Sequence, residues 1–157
     1  MPVDSVKIVR DGLQAYADRG VFRGFAEQGG NSVTKVFTFV WLTKQPMRLT
    51  LDTTKGVLRF ANLLPNIPAR SDFYTSLKQF VNDRYDKRLP AHRRIDRKRA
   101  EIICQNRLGS VSVGLRVIGN QYRYAIGKIV NMVHELFVHL NDLHADYMHE
   151  AFDAPQE

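Results

Sequence analysis

Histidines recur along the C-terminal part of the chain, and a suitable spacing would let them bind a metal ion. His134 and Glu135 match the start of the HExxH zinc-binding pattern, in which a second histidine follows four residues after the first. Here the next histidine is His139, five residues on. Five helical steps rotate a side chain by about 140°, so the two imidazoles lie on different faces of one helix. We therefore expect solvated or capping histidines and no metal site.

Nucleophiles and cofactor loops give no stronger signal. Cys104 alternates with Ala100 and Ile102 in a strand pattern, which directs the thiol toward the core, where a cysteine behaves as a small apolar residue. The segment SVSVG at 110–114 lacks the first glycine of the nucleophile elbow. Neither a P-loop nor a dinucleotide-binding glycine fingerprint occurs. We expect no catalytic residue and no cofactor, and hence a protein that is not an enzyme.

A strongly basic segment lies in the connection 86–99. Between residues 87 and 99 there are seven cations and one acid, Asp96. Arginine donates in pairs to phosphate oxygens, but no aromatic residue lies between Asp86 and Arg107 to stack on bases. Three interpretations stay open: a solvated edge that discourages strand pairing, a patch for a protein partner, and a patch for nucleic acid. The cations are Lys87, Arg88, Arg93, Arg94, Arg97, Lys98 and Arg99.

The C-terminal end, residues 141–157, has the opposite charge. It contains five acidic residues and neither lysine nor arginine. Opposite charges attract, so this end and the basic segment are expected to pair, either within one protomer or across a dimer. Such pairing would neutralise part of the basic segment before any phosphate bound.

Length and composition bound the class of protein. The 157 residues fit a single domain, 1–157, and a hydrophobic content of 44% suits a folded chain. The single cysteine excludes an internal disulfide and fits a reducing compartment. No signal peptide or membrane-spanning stretch is visible, so we expect a cytoplasmic protein with no membrane partner. The net charge of +7 suits an anionic partner.

The periodicity of apolar residues predicts the elements that position these groups. A strand block between two helices, followed by a hairpin and a long closing helix, is typical of an α+β fold with an antiparallel meander sheet. A short helix precedes Gly20, Ser71 caps the middle helix, and the last helix runs from about Gln121 to about Phe152. The predicted strands are 21–27, 33–42, 47–52, 57–63 and two between 100 and 117.

This order of elements resembles the type III secretion chaperone-like fold and the bacterial sensory transduction regulator family grouped with it. The segments NLLP at 62–65, before the second helix, and VHELF at 133–137, in the closing helix, carry the resemblance. It covers the chain from Val3 to about Phe152. The resemblance implies a small non-catalytic bacterial protein, often a homodimer, that binds other polypeptides.

We accordingly expect a protein-binding adaptor or chaperone-like domain, with nucleic-acid association through residues 87–99 as the alternative. An apolar segment of a protein partner would bind side chains exposed on the sheet and the last helix, and an acidic segment would be steered by arginines. The predicted apolar contacts are Phe37, Phe39, Trp41 and Phe137. The predicted steering residues are Arg93, Arg94, Arg97 and Arg99.

Overall fold

The computed structural model describes residues 4–29 and 31–153 and confirms the α+β fold. The helices are α1 (Ser5–Asp18), α2 (Asp72–Asn82), α3 (Tyr122–Leu143) and α4 (Ala145–Phe152), with a 3₁₀ turn at Asp83–Tyr85. The strands are β1 (Arg23–Gln28), β2 (Thr34–Val40), β3 (Pro46–Asp52), β4 (Val57–Leu64), β5 (Ala100–Arg107) and β6 (Ser110–Val117). All six lie close to the strands that the apolar alternation predicts.

The strands form one antiparallel sheet in the order β1-β2-β3-β4-β6-β5. The first four strands form the predicted meander. The hairpin β5–β6 joins it through its second strand, because β6 and not β5 pairs with β4. Strand β5 is therefore an edge of the sheet, and the basic connection 86–99, which leads directly into β5, lies at that edge.

The core fills the space between the sheet and the helices. Alternate residues of the strands enter it, and the apolar stripe of α3 covers them, as its three-and-four spacing predicts. Ile129, Val133 and Leu136 of that stripe are fully buried. At the far end Leu143 is 67% exposed, so the stripe faces the chain's own sheet only up to Leu140.

The four predicted apolar contacts are not on the surface, and that prediction is wrong. Phe37 and Phe39 are 0% and 1% exposed, Trp41 is 8% exposed, and Phe137 is 1% exposed. The ring of Phe39 stacks on Phe22 at 4.0 Å between centroids, within the chain's own core. These side chains bury their apolar area inside the domain, where a partner could reach them only by unfolding it.

The closing helix is interrupted, where the sequence predicts one continuous helix to 152. His144 has φ −136° and ψ 46°, which ends α3, and α4 begins at Ala145. The imidazole of His144 stacks on Phe73 of α2 at 4.4 Å, and Phe152 of α4 packs on Phe137 at 5.7 Å. The backbone of His144 still donates to the Leu140 carbonyl oxygen at 2.8 Å and accepts from the Met148 amide at 3.1 Å, so α3 and α4 stay joined at the break. Of the predicted acidic end 141–157, residues 154–157 lie outside the described residues, as do residues 1–3 of the predicted domain.

Candidate anion-binding site

The basic connection does not extend into solvent but folds back onto α3. Three α3 side chains, spaced so that they share one face of the helix, bind it at successive points. The contacts are Lys128 with the Ala91 carbonyl oxygen, Asn131 with the His92 carbonyl oxygen at 3.0 Å, and Glu135 with the Arg93 guanidinium at 2.9 Å. The connection is thereby held as an ordered wall beside the first turns of α3.

Glu135 is the strongest of these anchors because it binds a second arginine. Arg84 of the 3₁₀ turn is 6% exposed, donates to the Glu135 carboxylate and lies over the Phe80 ring at 4.2 Å. A buried guanidinium needs such a partner, since an unpaired charge in the interior costs several kcal/mol. Arg93, which the sequence predicts to steer an acidic partner, is thus ion-paired within the chain.

Between the folded connection and α3 lies a cavity of about 620 Å³. Its wall carries six cations and a single acid, Asp96, together with two tyrosines and two apolar side chains. This volume falls within the range of ligand-binding cavities. The cations are Lys87, Arg94, Arg97, Lys98, Arg99 and Lys128, and the other lining residues are Tyr85, Ala91, Ile95 and Tyr124.

Two of the arginines lie flat on the two tyrosines. The Arg97 guanidinium carbon is 3.8 Å from the centre of the Tyr85 ring, and that of Arg99 is 3.7 Å from the centre of Tyr124. At these distances only the planar face of a guanidinium fits against a ring. The Tyr85 hydroxyl accepts a hydrogen bond from the backbone amide of Ile102, and the Tyr124 hydroxyl accepts one from the backbone amide of Asp96 at 2.8 Å. These hydrogen bonds fix the positions of the two tyrosine side chains.

The positive charge of the cavity is not neutralised by the surrounding protein. Within residues 4–29 and 31–153, none of the six lining cations forms an ion pair with a carboxylate. The carboxylate of Asp96 instead accepts a hydrogen bond from the backbone amide of Lys98 at 2.9 Å. Burial lowers the pKa of Lys128, and the neighbouring charges of Arg94 and Arg99 lower it further. Like charges are thus held close together, an arrangement that an anion would stabilise.

The cavity continues into two shallower depressions. The first shares Arg99 and Tyr124 with the cavity and runs past Arg123 at the start of α3. The second shares Arg123 with the first and reaches Lys7 of α1, whose ammonium group forms an ion pair with Asp11 at 2.7 Å. The concave surface that the cations line therefore extends beyond the cavity as far as Arg123.

The other predicted chemical groups do not form a site. Rings of His139 and His144 stack on Phe80 and Phe73 at 4.1 and 4.4 Å. No group of three metal-ligating side chains occurs among the described residues. Cys104 is half-buried, and burial raises the pKa of its thiol, which favours the protonated form. None of the helices in the described part of the chain is long and apolar enough to cross a bilayer.

The structure thus brings together three of the four arginines that the sequence singles out, Arg94, Arg97 and Arg99, while Arg93 is bound by Glu135. Sequence reasoning missed the tyrosines and Lys128. It found no aromatic residue inside the basic segment, but Tyr85 precedes the segment and Tyr124 comes from α3. The one available signal was the spacing of Tyr124 and Lys128, which places them on the same face of a helix.

Comparison with known proteins gives no assignment: no protein-family model, no curated protein and no solved structure matches this chain. The resemblance to the secretion chaperone-like fold, and the homodimer that it implies, stay predictions.

Proposed function

We propose that this chain is a non-catalytic binding domain that holds the phosphate backbone of a nucleic acid in the basic cavity. The single observation that carries the proposal is the lining of the cavity, six cations against one acid. Phosphate oxygens accept paired hydrogen bonds from guanidinium groups and a point charge from lysine, and both kinds of donor are present. Binding would release condensed counterions from the nucleic acid, which provides most of its affinity.

An extended polyanion suits the site better than a single small anion. A small anion would need only the cations of the cavity, whereas Arg123 continues the positive path beyond it. A nucleic acid presents phosphates at regular intervals along such a path. The adaptor function expected from the sequence would need a different surface, since its apolar contacts lie in the core.

The proposal is tested by neutralising the cavity without changing the fold. We replace Arg94, Arg97, Lys98 and Arg99 by glutamine and measure binding of a fluorescently labelled oligonucleotide by anisotropy at several salt concentrations. We expect affinity to fall at least about tenfold and the slope of log affinity against log salt to decrease by about three, because four positive charges that displace counterions are lost.

A matched variant controls for net charge. Replacing Arg23, Lys35, Arg48 and Lys55 by glutamine removes an equal number of positive charges, from β1, β2, β3 and the turn before β4. We expect this variant to bind nearly as tightly as the native protein. Equal weakening in the two variants, or no oligonucleotide binding by the native protein at low salt, would contradict the proposal.

A further inference from the structure

We infer that the nucleic acid bound here is single-stranded, with unpaired bases stacked on the guanidinium planes of Arg97 and Arg99. The inference rests on the proposed function and specifies its ligand. One face of each guanidinium lies on a tyrosine ring, at 3.8 Å for Arg97 and 3.7 Å for Arg99, so the opposite face is free of that ring. Both arginines line the cavity, and we place the base on that second face.

A guanidinium plane stacks on a nucleobase as it stacks on tyrosine, because both partners are flat and the cation is weakly hydrated. A tyrosine beneath the guanidinium turns a flexible side chain into a fixed platform. In a duplex, however, the faces of the bases are covered by their neighbours and cannot reach such a platform. Only a strand with unpaired bases can use Arg97 and Arg99 in this way.

The tyrosine beneath each guanidinium is held by a backbone hydrogen bond before any ligand binds. The hydroxyl of Tyr124 accepts the Asp96 amide at 2.8 Å, and Arg99 also donates to the Gln121 side chain at 3.0 Å. The hydroxyl of Tyr85 is fixed in the same way by the Ile102 amide of β5. Ordering side chains on binding costs free energy, so groups already held in place bind a base more tightly.

The remaining cations complete the site as contacts for the backbone. Lys87, Lys98 and Lys128 line the same cavity, but none of them lies on Tyr85, and only Lys128 approaches Tyr124, at 5.4 Å. Ammonium groups do not stack as a planar guanidinium does, and they bind phosphate as point charges. The lysines would then bind phosphates and the two arginines would bind bases. Binding by charge alone would not require these two separate roles.

The test separates stacking from charge by replacing arginine with lysine. Arg97→Lys and Arg99→Lys keep the positive charge and remove the plane. Arg19→Lys makes the same change outside the cavity, at an arginine 4.7 Å from the centre of the Tyr16 ring, and serves as the matched control. Anisotropy is measured with three labelled probes of equal length: a single strand, its duplex, and an abasic strand that has the phosphates but no bases. Thermal melting of each variant verifies that the fold is retained.

We expect the single strand to bind the native protein more tightly than the abasic strand or the duplex. Arg97→Lys and Arg99→Lys should each weaken single-strand binding at least about fivefold, with an unchanged salt slope, while Arg19→Lys has little effect. If all three probes bind equally and the lysine variants bind like the native protein, the single-strand inference fails and phosphate binding stands. If no probe binds at low salt, both the inference and the proposed function fail.

Discussion

At the scale of single residues, Glu135 links the cavity to the stability of the fold. Its carboxylate accepts hydrogen bonds from both Arg84 and Arg93, and its side chain is 17% exposed. Glu135→Gln would leave the Arg84 guanidinium buried without a counter-charge. We expect the free energy of unfolding, measured by urea denaturation, to fall by about 3 kcal/mol, the cost of breaking a buried ion pair from one side.

The control for this prediction is an exposed ion pair. Glu101 forms an ion pair with Arg116, and the side chains of Arg116 and Glu101 are 52% and 51% exposed. Glu101→Gln should cost at most about 1 kcal/mol, since water already screens the charges. A similar small loss for Glu135→Gln would mean that Arg84 finds another partner or reaches solvent, and that Glu135 is not the anchor of the connection.

A second prediction at this scale concerns the replacement of two glycines by alanine. We expect the two substitutions to change the free energy of unfolding in opposite directions. A Cβ at Gly114 of β6 would overlap the Leu58 carbonyl oxygen and lie 2.8 Å from the Arg59 Cα, both in the neighbouring strand. We expect Gly114→Ala to lower the free energy of unfolding by about 3 kcal/mol, because the backbone must move. A Cβ at Gly127 of α3 meets nothing within 4 Å. Gly127→Ala should therefore stabilise by about 0.5–1 kcal/mol, through helix propensity.

Urea denaturation of the two glycine variants decides this prediction. The same change in α3 and β6 separates backbone crowding from a general effect of adding a methyl group. If Gly114→Ala is tolerated without loss, β4 and β6 do not approach each other as closely as the structure shows.

At the scale of elements, the contact between α2 and α3 should depend on pH. His139 of α3 stacks on Phe80 of α2 at 4.1 Å. Burial lowers the pKa of His139, and the nearby His144 and Arg84 lower it further, while Asp142 opposes them. A histidine whose pKa is lower in the folded state favours folding when neutral. Its contribution is complete above the unfolded pKa of about 6.5 and is lost as pH falls below that value.

We therefore expect the free energy of unfolding to decrease from pH 7.5 to pH 5, with a smaller decrease in His139→Gln than in the native protein. The measurement is urea denaturation at each pH, and the difference between the two proteins isolates His139 from the other four histidines. Parallel curves for the two proteins would show that His139 takes up its proton at the same pH whether or not the chain is folded.

The elements were largely predictable from sequence, and the site only in part, for physical reasons. Alternating and three-and-four patterns are local, so they predict the strands and the buried stripe of α3. The pairing of β6 with β4 and the break at His144 depend on contacts between distant segments. An apolar residue such as Phe37 gives the same pattern whether its own domain or a partner covers it, which explains the wrong surface prediction. The basic segment was visible, but Tyr124 joins it only after folding.

At the scale of the whole molecule, positive charge is concentrated around one cavity. The net charge is +7, and six cations surround one cavity with one acid among them. Each added cation in such a group raises the electrostatic energy of the folded state, because folding brings like charges closer together. A cluster with this cost is more readily explained by a ligand than by stability, since binding sites commonly trade stability for function.

This trade gives a prediction for Lys98, an exposed cation that lines the cavity and whose side chain makes no hydrogen bond or ion pair within the described residues. Lys98→Gln should raise the melting temperature of the free protein by about 1–2 °C at low salt, because repulsion from Arg97 and Arg99 is relieved. The same variant should weaken oligonucleotide binding.

The control is Lys55→Gln, in the turn between β3 and β4, which should change neither the melting temperature nor the binding. High salt should abolish the stabilisation, since screening removes the repulsion. If Lys98→Gln instead lowers the melting temperature at low salt, the charge of Lys98 stabilises the fold, and the cation cluster needs no ligand to explain it.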